Sequence, residues 1–162
     1  WFVQVTGNEI RFIDYVESSG VGLDWYVKQL KDKPYSYDSH LLPHDAEVRE
    51  LGSGKSRLET LQSLGLQNLR VIPAQRKEDQ INALRLILPR AWFDADKCKR
   101  GIEALRQYRA DWDDKRKVFR DRPLHDWTSH PADAAMVLAQ AVPQPASQWA
   151  KPIKYRDTGA FV

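Results

Sequence analysis

Apolar positions along the chain change their period several times, and each change marks an element. Residues 1–17 read WFVQVT and EIRFIDYVE around a Thr6-Gly7-Asn8 turn. These β-branched and aromatic runs predict a hairpin. In the second run Ile10, Phe12 and Asp14 share one face and Arg11, Ile13 and Tyr15 the other. Apolar residues on both faces predict a strand inside a sheet. Leu23, Val27 and Leu30 recur at helical spacing over 22–33, and Pro34 ends that run. A short strand is expected at Leu41-Leu42, with Pro43 stopping it and His44-Asp45 at its carboxyl end. Leu58, Leu61 and Leu64 predict a helix from Ser56 to Gly65, with Ser56 and Glu59 in capping-box positions. A strand over 68–72 and a helix over 77–88 follow, stopped by Pro73 and Pro89.

Cys98, Ile102, Leu105, Tyr108 and Trp112 fall at steps of four, three, three and four. They predict one long helix over 94–112, followed by a charged connector over 113–122. Trp127, Ala134, Leu138 and Ala141 predict a last helix over 125–141. Alternating strands and helices indicate an α/β fold. Beyond it, Pro143, Pro145 and Pro152 among polar residues predict an irregular tail over 142–162, leaving 1–141 as the folded domain.

Composition narrows the class. A chain of 162 residues fits one domain, and 42% hydrophobic with 29% charged residues excludes a disordered chain. No run approaches the ~20 apolar residues of a membrane span, so a soluble, intracellular type of domain with no membrane partner is expected. Cys98 is the single cysteine, which excludes an internal disulfide and a multi-cysteine zinc site. The chain opens on Trp1 rather than Met, which reads as a fragment or a processed chain. The net charge of +3 says little about partners. Residues 97–122, however, hold ten basic residues against five acidic ones, a local net of +5. Such a stretch is either an ordinary charged surface with i,i+4 pairs or a patch able to neutralise DNA phosphates.

Several motifs have competing readings. Gly52-Ser53-Gly54-Lys55-Ser56 resembles the end of a phosphate-binding loop, but Arg49 stands where the first glycine belongs, and the preceding stretch is polar. Its alternatives are a turn capping the next helix through Ser56, or a basic loop in which Lys55 and Arg57 touch a phosphate backbone. His40 and His44 flank Pro43, and His125 and His130 are five apart, so neither pair suits a zinc site on one helix. Cys98, on an apolar face, reads as core. Asp45, past a short strand, is either a ligand-binding acid or a helix cap. Asp126, His130 and Asp133 fall on one face of the predicted last helix, either as a solvated stripe or as metal-binding groups among small residues. Carboxylates of that kind bind hard cations such as Mg²⁺ or Mn²⁺.

Two segments carry a family resemblance. LLPHDAEVRELGSGKSRLETLQSLG (41–65) and RPLHDWTSHPADAAMVLA (122–139) resemble the C-terminal nuclease domain of large terminase subunits of tailed phages. The opening hairpin and DQINALRLILPRAWFD (79–94) fit the same family. The resemblance covers about residues 1–140. It implies a ribonuclease H-like fold, a central mixed sheet flanked by helices, and a metal-dependent endonuclease that cuts concatemeric DNA during genome packaging. It implies two Mg²⁺ or Mn²⁺ ions held by three acids. The second acid falls on Asp45 and the third on Asp133, both catalytic and metal-binding. The first is expected on a strand before Trp1, since WFVQV resembles the second strand of that sheet and Asp14 is a poor stand-in.

His44, Asp126 and His130 are candidate accessory groups. Lys55, Arg57, Lys115, Arg116, Lys117 and Arg120 are candidate contacts to the DNA backbone. The implied partners are double-stranded DNA and, in an intact subunit, an N-terminal ATPase domain, the portal and the small terminase subunit, all in the cytoplasm of a bacterial host. The competing expectation is a DNA-binding or portal- or small-subunit-docking module that does not cut. An unrelated nucleotide-binding protein would rest on 52–56 alone.

Overall fold

The computed structural model describes residues 1–142. The tail expected over 142–162 lies outside the described residues, apart from Val142, which is buried. The chain opens with β1 (Phe2–Thr6) and β2 (Glu9–Asp14), an antiparallel pair in which Thr6 lies opposite Glu9. Only Gly7 and Asn8 remain for the turn, and Gly7 takes φ +58°, a conformation cheap only without a Cβ. β2 also pairs in parallel with β5 (Ala91–Phe93), so it is the central strand of three, as its two apolar faces predict. Ile10, Phe12 and Asp14 are its buried face.

α1 (Leu23–Asp32), β3 (His40–Leu42), a 3-10 turn (His44–Glu47), α2 (Arg57–Ser63), β4 (Leu69–Val71) and α3 (Lys77–Ile87) follow close to their expected places. β3 and β4 form a separate parallel pair. Their alternating side chains enter two cores. Leu41 packs on a cluster built from Ile10, Phe12, Ile87 and Met136, while Leu42 and Leu69 pack on Val27, Leu61 and Leu66. The pair is thus covered on both faces, as short parallel strands require.

The long helix expected over 94–112 is not present. Its helical part is α4 (Lys99–Gln107) alone, and Tyr108 at its end is extended. β6 (Ala110–Asp113) and β7 (Val118–Pro123) form a hairpin where a charged connector was expected. Asp113 causes the reversal. Its Oδ1 accepts hydrogen bonds from the amides of Lys115 and Arg116 at 3.0 and 3.1 Å, and Lys117 takes φ +56° to close the turn. The spacing of Tyr108 and Trp112 mimics a helix by coincidence of step. Trp112 instead pairs across the hairpin with Phe119, ring centroids 4.8 Å apart.

The last helix is α5 (Ser129–Ala141), four residues shorter at its start than expected. Its buried face is Ala132, Ala135, Met136 and Ala139, with Ala134 exposed rather than buried. These small residues let α5 lie close to α3 while also meeting α4 and β3. Trp1 fastens the other end of this core. Its Nε1 donates to the Pro131 carbonyl at 2.9 Å, and its ring meets Phe12, Tyr15 and Phe93. Gly101 is required beneath it, because a Cβ there would overlap the indole.

The described residues are therefore a mixed α/β fold with three small sheets, β1-β2-β5, β3-β4 and β6-β7, rather than one continuous central sheet. None of the described helices is long and apolar enough to cross a membrane.

Candidate functional site

The 3-10 turn after β3 places Asp45 half exposed just beyond the strand's carboxyl end. Pro43 sets the turn's entry with an extended backbone, and Asp45 makes no side-chain cap of a helix. Its Oδ2 instead accepts from Arg57 Nη1 at 3.1 Å, and Arg57 Nε also lies 3.7 Å from Glu50. His44 beside it is exposed.

Asp133 sits one turn into α5, also about half exposed, and accepts from Lys77 Nζ at 2.8 Å. Lys77 opens α3, the helix that follows β4 after residues 72–76. β3 and β4 run parallel, so the turn carrying Asp45 and the lysine holding Asp133 both follow strand carboxyl ends that point the same way. Open α/β sheets bind ligands at such ends. Tyr108 reports on this place: burial first, then the Asp133 charge, push its hydroxyl up to about 12.

Asp126 is elsewhere. It precedes α5 and does not share a helical stripe with Asp133. Its Oδ1 accepts from the Thr128 hydroxyl at 2.6 Å and the Thr128 amide at 2.8 Å, and these bonds hold its carboxyl below the ordinary range. It organises the entry to α5. His130, on the first turn of α5, is exposed, with its ring centroid 5.9 Å from that of His125.

The GSGKS stretch is a turn, not a phosphate loop. Gly54 donates to the Glu50 carbonyl at 2.8 Å, and Arg49 bridges Ser56. Ser56 then caps α2 through the full capping box with Glu59. The element before it is the 3-10 turn His44–Glu47 rather than a strand, and the helix after it has only seven residues. Lys55 is exposed on this turn, while Arg57 is committed to two acids.

The basic stretch divides in the fold. Arg100 pairs with Glu17 at 2.9 Å and lies over the Trp127 ring at 3.9 Å. Arg120 is held by Asp111 and Asp113, and Arg122 by Asp111. Arg120 is therefore a poorer free contact than its sequence position suggests. Lys115, Arg116 and Lys117 remain exposed at the hairpin tip. Beside them an open cleft of about 460 Å³ is lined by Trp112, Asp113, Arg116 and Arg120.

Cys98 is fully buried, its thiol 3.4 Å from the Phe12 carbonyl, and burial pushes its pKa up, as a core residue requires. Asp14 is buried too, and it accepts from Lys33 Nζ at 2.5 Å, the Tyr15 amide at 2.8 Å and the Tyr35 hydroxyl at 3.3 Å. Burial would raise its pKa, but the Lys33 and Tyr15 hydrogen bonds, with the Lys33 charge, outweigh this and hold the carboxyl below its ordinary value.

For a divalent ion, Asp45 and Asp133 are donors of the right kind, hard carboxylate oxygens open to solvent. Among the described residues no three His, Cys, Asp or Glu side chains form a group able to hold a metal. Each of the two acids is instead paired with a cation of the fold, Asp45 with Arg57 and Asp133 with Lys77. Lys77 carries no motif, and only the packing of α3 on α5 brings it to Asp133. Compared with known proteins, the chain matches no family model, no curated protein and no solved structure.

Proposed function

We propose that the chain is a DNA endonuclease domain of the kind found in the large terminase subunits of tailed phages, with a ribonuclease H-like core. The observation that carries this reading is the placement of Asp45 and Asp133. They belong to the two segments that carry the family resemblance; Asp45 stands past the carboxyl end of β3, and Asp133, on α5, is paired with Lys77 of the helix that follows β4, both acids solvent-accessible. Mg²⁺ or Mn²⁺ is the cofactor class that oxygen donors of this kind select. Bound there, such an ion supplies a water of lowered pKa and charge stabilisation for phosphodiester hydrolysis.

The chain's own share is then to hold and place. Asp45 and Asp133 hold the cation, and His44 and His130, on the elements that bear those acids, orient water or phosphate. Lys55 and the Lys115–Lys117 tip place the sugar-phosphate backbone without reading bases. The substrate is concatemeric double-stranded DNA in a bacterial host's cytoplasm, and an ATPase domain, a portal and a small subunit are its partners in an intact subunit. The test is plasmid cleavage in Mn²⁺ by the intact subunit. Asp45→Ala and Asp133→Ala are expected to abolish cutting, and unchanged cutting in either refutes the assignment.

A second reading, a DNA-binding or docking module that does not cut, is favoured by the ion pairs at both acids and by the absence of a three-ligand group among the described residues. Calorimetry separates the two. Divalent-ion binding that depends on Asp45 and Asp133 supports the nuclease, and DNA binding without it supports the module.

A further inference from the structure

The β6–β7 ribbon gets little cover from the rest of the fold. Among the described residues its extensive contacts are between its own two strands, and the Leu124 amide donates to the Arg109 carbonyl at 2.9 Å where it joins the domain. Successive side chains alternate between the faces of a ribbon. One face is an ionic lattice, in which Asp111 and Asp113 hold Arg120 and Asp111 also holds Arg122. The other is aromatic. Trp112 and Phe119 lie opposite each other across the strands, their ring planes 69° apart, and are 43% and 65% exposed. Trp112 Nε1 donates to Asp114 at 3.1 Å, which fixes the indole in this outward position. Ala110, Trp112, Phe119 and Leu124 line an open cleft of about 420 Å³ beside the pair. Paired rings left open to water on a ribbon that is marginal by itself mark a contact surface.

The surrounding charges select its partner. Residues 109–123 hold six basic and four acidic residues, and the lattice commits Asp111 and Asp113 to arginines of the ribbon itself. Lys115 and Arg116 stay exposed at the tip, a few residues from both rings. Open rings beside exposed cations fit nucleic acid, whose bases stack on the rings while its phosphates meet the cations. In an intact duplex the base faces already stack on one another, so these rings gain a face only from an unpaired base.

We infer that the β6–β7 ribbon binds single-stranded DNA, with an unpaired base stacked on Phe119 against the Trp112 ring and the adjoining phosphates on Lys115 and Arg116. The inference rests on the DNA reading above and deepens it from an intact duplex to an opened strand. It does not depend on whether the chain cuts, because neither Asp45 nor Asp133 takes part.

Fluorescence anisotropy of labelled DNA titrated with the full chain tests this, using a single-stranded oligonucleotide and the blunt duplex of the same sequence. Phe119→Leu keeps the apolar contact with Trp112 but removes the flat ring. It is expected to weaken single-strand binding about fivefold or more, the lower end of what one base–aromatic stack is worth, and to leave duplex binding unchanged. Phe119→Tyr, which restores a ring, should restore the affinity. Raising the salt concentration should weaken all binding by releasing fewer counter-ions, yet the ratio between wild type and Phe119→Leu should persist, because stacking neutralises no phosphate. A loss shared equally by strand and duplex marks a merely structural role for Phe119 and overturns the inference. Should Phe119→Leu fail to fold, Phe119→Met is held to the same outcomes. Duplex binding in the wild type, with single-strand affinity unmoved by Phe119→Leu, leaves the DNA reading standing and this inference wrong. A chain that binds neither form of DNA overturns both and leaves the rings to a protein partner.

Discussion

The Asp14–Lys33 pair allows a quantitative test of what holds the β1-β2-β5 sheet against α1. Asp14 ends β2 with its side chain 7% exposed, and Lys33 reaches it from the end of α1. Lys33→Met keeps the length of the stem but removes the charge. Asp14 then keeps the Tyr15 amide and the Tyr35 hydroxyl but loses its cation. Stripping one partner from a fully buried pair costs about 3–5 kcal/mol. Lys33 is about a quarter exposed and two hydrogen bonds survive, so a cost of about 2 kcal/mol is expected. For a domain of this size that lowers the melting temperature by about 6–8 °C.

The pH dependence follows from the direction of the Asp14 shift. The folded carboxyl is held below its unfolded value, so the unfolded state binds more protons as the pH falls. The pair's contribution is complete above the ordinary carboxylate value of about 4 and is lost as pH falls through the lower folded value. The variant's carboxyl loses the Lys33 hydrogen bond and charge, keeps the Tyr15 and Tyr35 bonds, and titrates higher than in the wild type. The stability gap between wild type and Lys33→Met should therefore be widest at neutral pH and narrow below about pH 4. Urea unfolding followed by circular dichroism from pH 7 downward measures the gap. A difference below about 0.5 kcal/mol at pH 7, or one that stays constant as the pH falls, would refute the reasoning.

Three further expectations follow from local geometry. Gly101→Ala forces a Cβ into the Trp1 ring and should cost about 1–3 kcal/mol in thermal unfolding, and an unchanged melting temperature would show that the indole can move freely. Ser56→Ala removes the capping box of α2 and should cost about 1 kcal/mol, with faster hydrogen exchange at the Glu59 amide as its local signature. Asp113→Ala removes the bonds that close the β6–β7 turn and anchor Arg120. Two-stranded hairpins are marginal alone, so limited trypsin digestion should speed up at Lys115–Lys117 while the melting temperature of the domain stays nearly constant.

Period and punctuation made most of the fold legible. The first hairpin, the buried face of β2, α1, the two short parallel strands and α3 all follow from apolar spacing stopped by Gly or Pro. The capping box at Ser56 was legible because its chemistry is local, spanning three residues. The segment 94–123 was not. Tyr108 and Trp112 keep a helical step, and only the Asp113 turn and the cross-strand Trp112–Phe119 contact reveal a hairpin. Asp126 was misplaced for a related reason. A spacing of seven from Asp133 implies a shared face only if the helix already exists at Asp126, and Thr128 bonds that carboxylate before the helix begins.

By itself the sequence determined most of the local order of strands and helices, the capping box at Ser56, and the surplus of basic residues in 97–122. These depend on neighbours a few positions apart, where steric and hydrogen-bond rules act on short stretches of chain. Tertiary structure alone decided which charges remain available. It set Arg57 against Asp45 and Lys77 against Asp133, spent Arg100, Arg120 and Arg122 on nearby acids, and left Lys115 and Arg116 exposed at the hairpin tip, where Lys117 lies 3.8 Å from Asp114. Coulomb energy depends on distance in space, and the packing of α3 on α5 brings together residues that sequence separation hides.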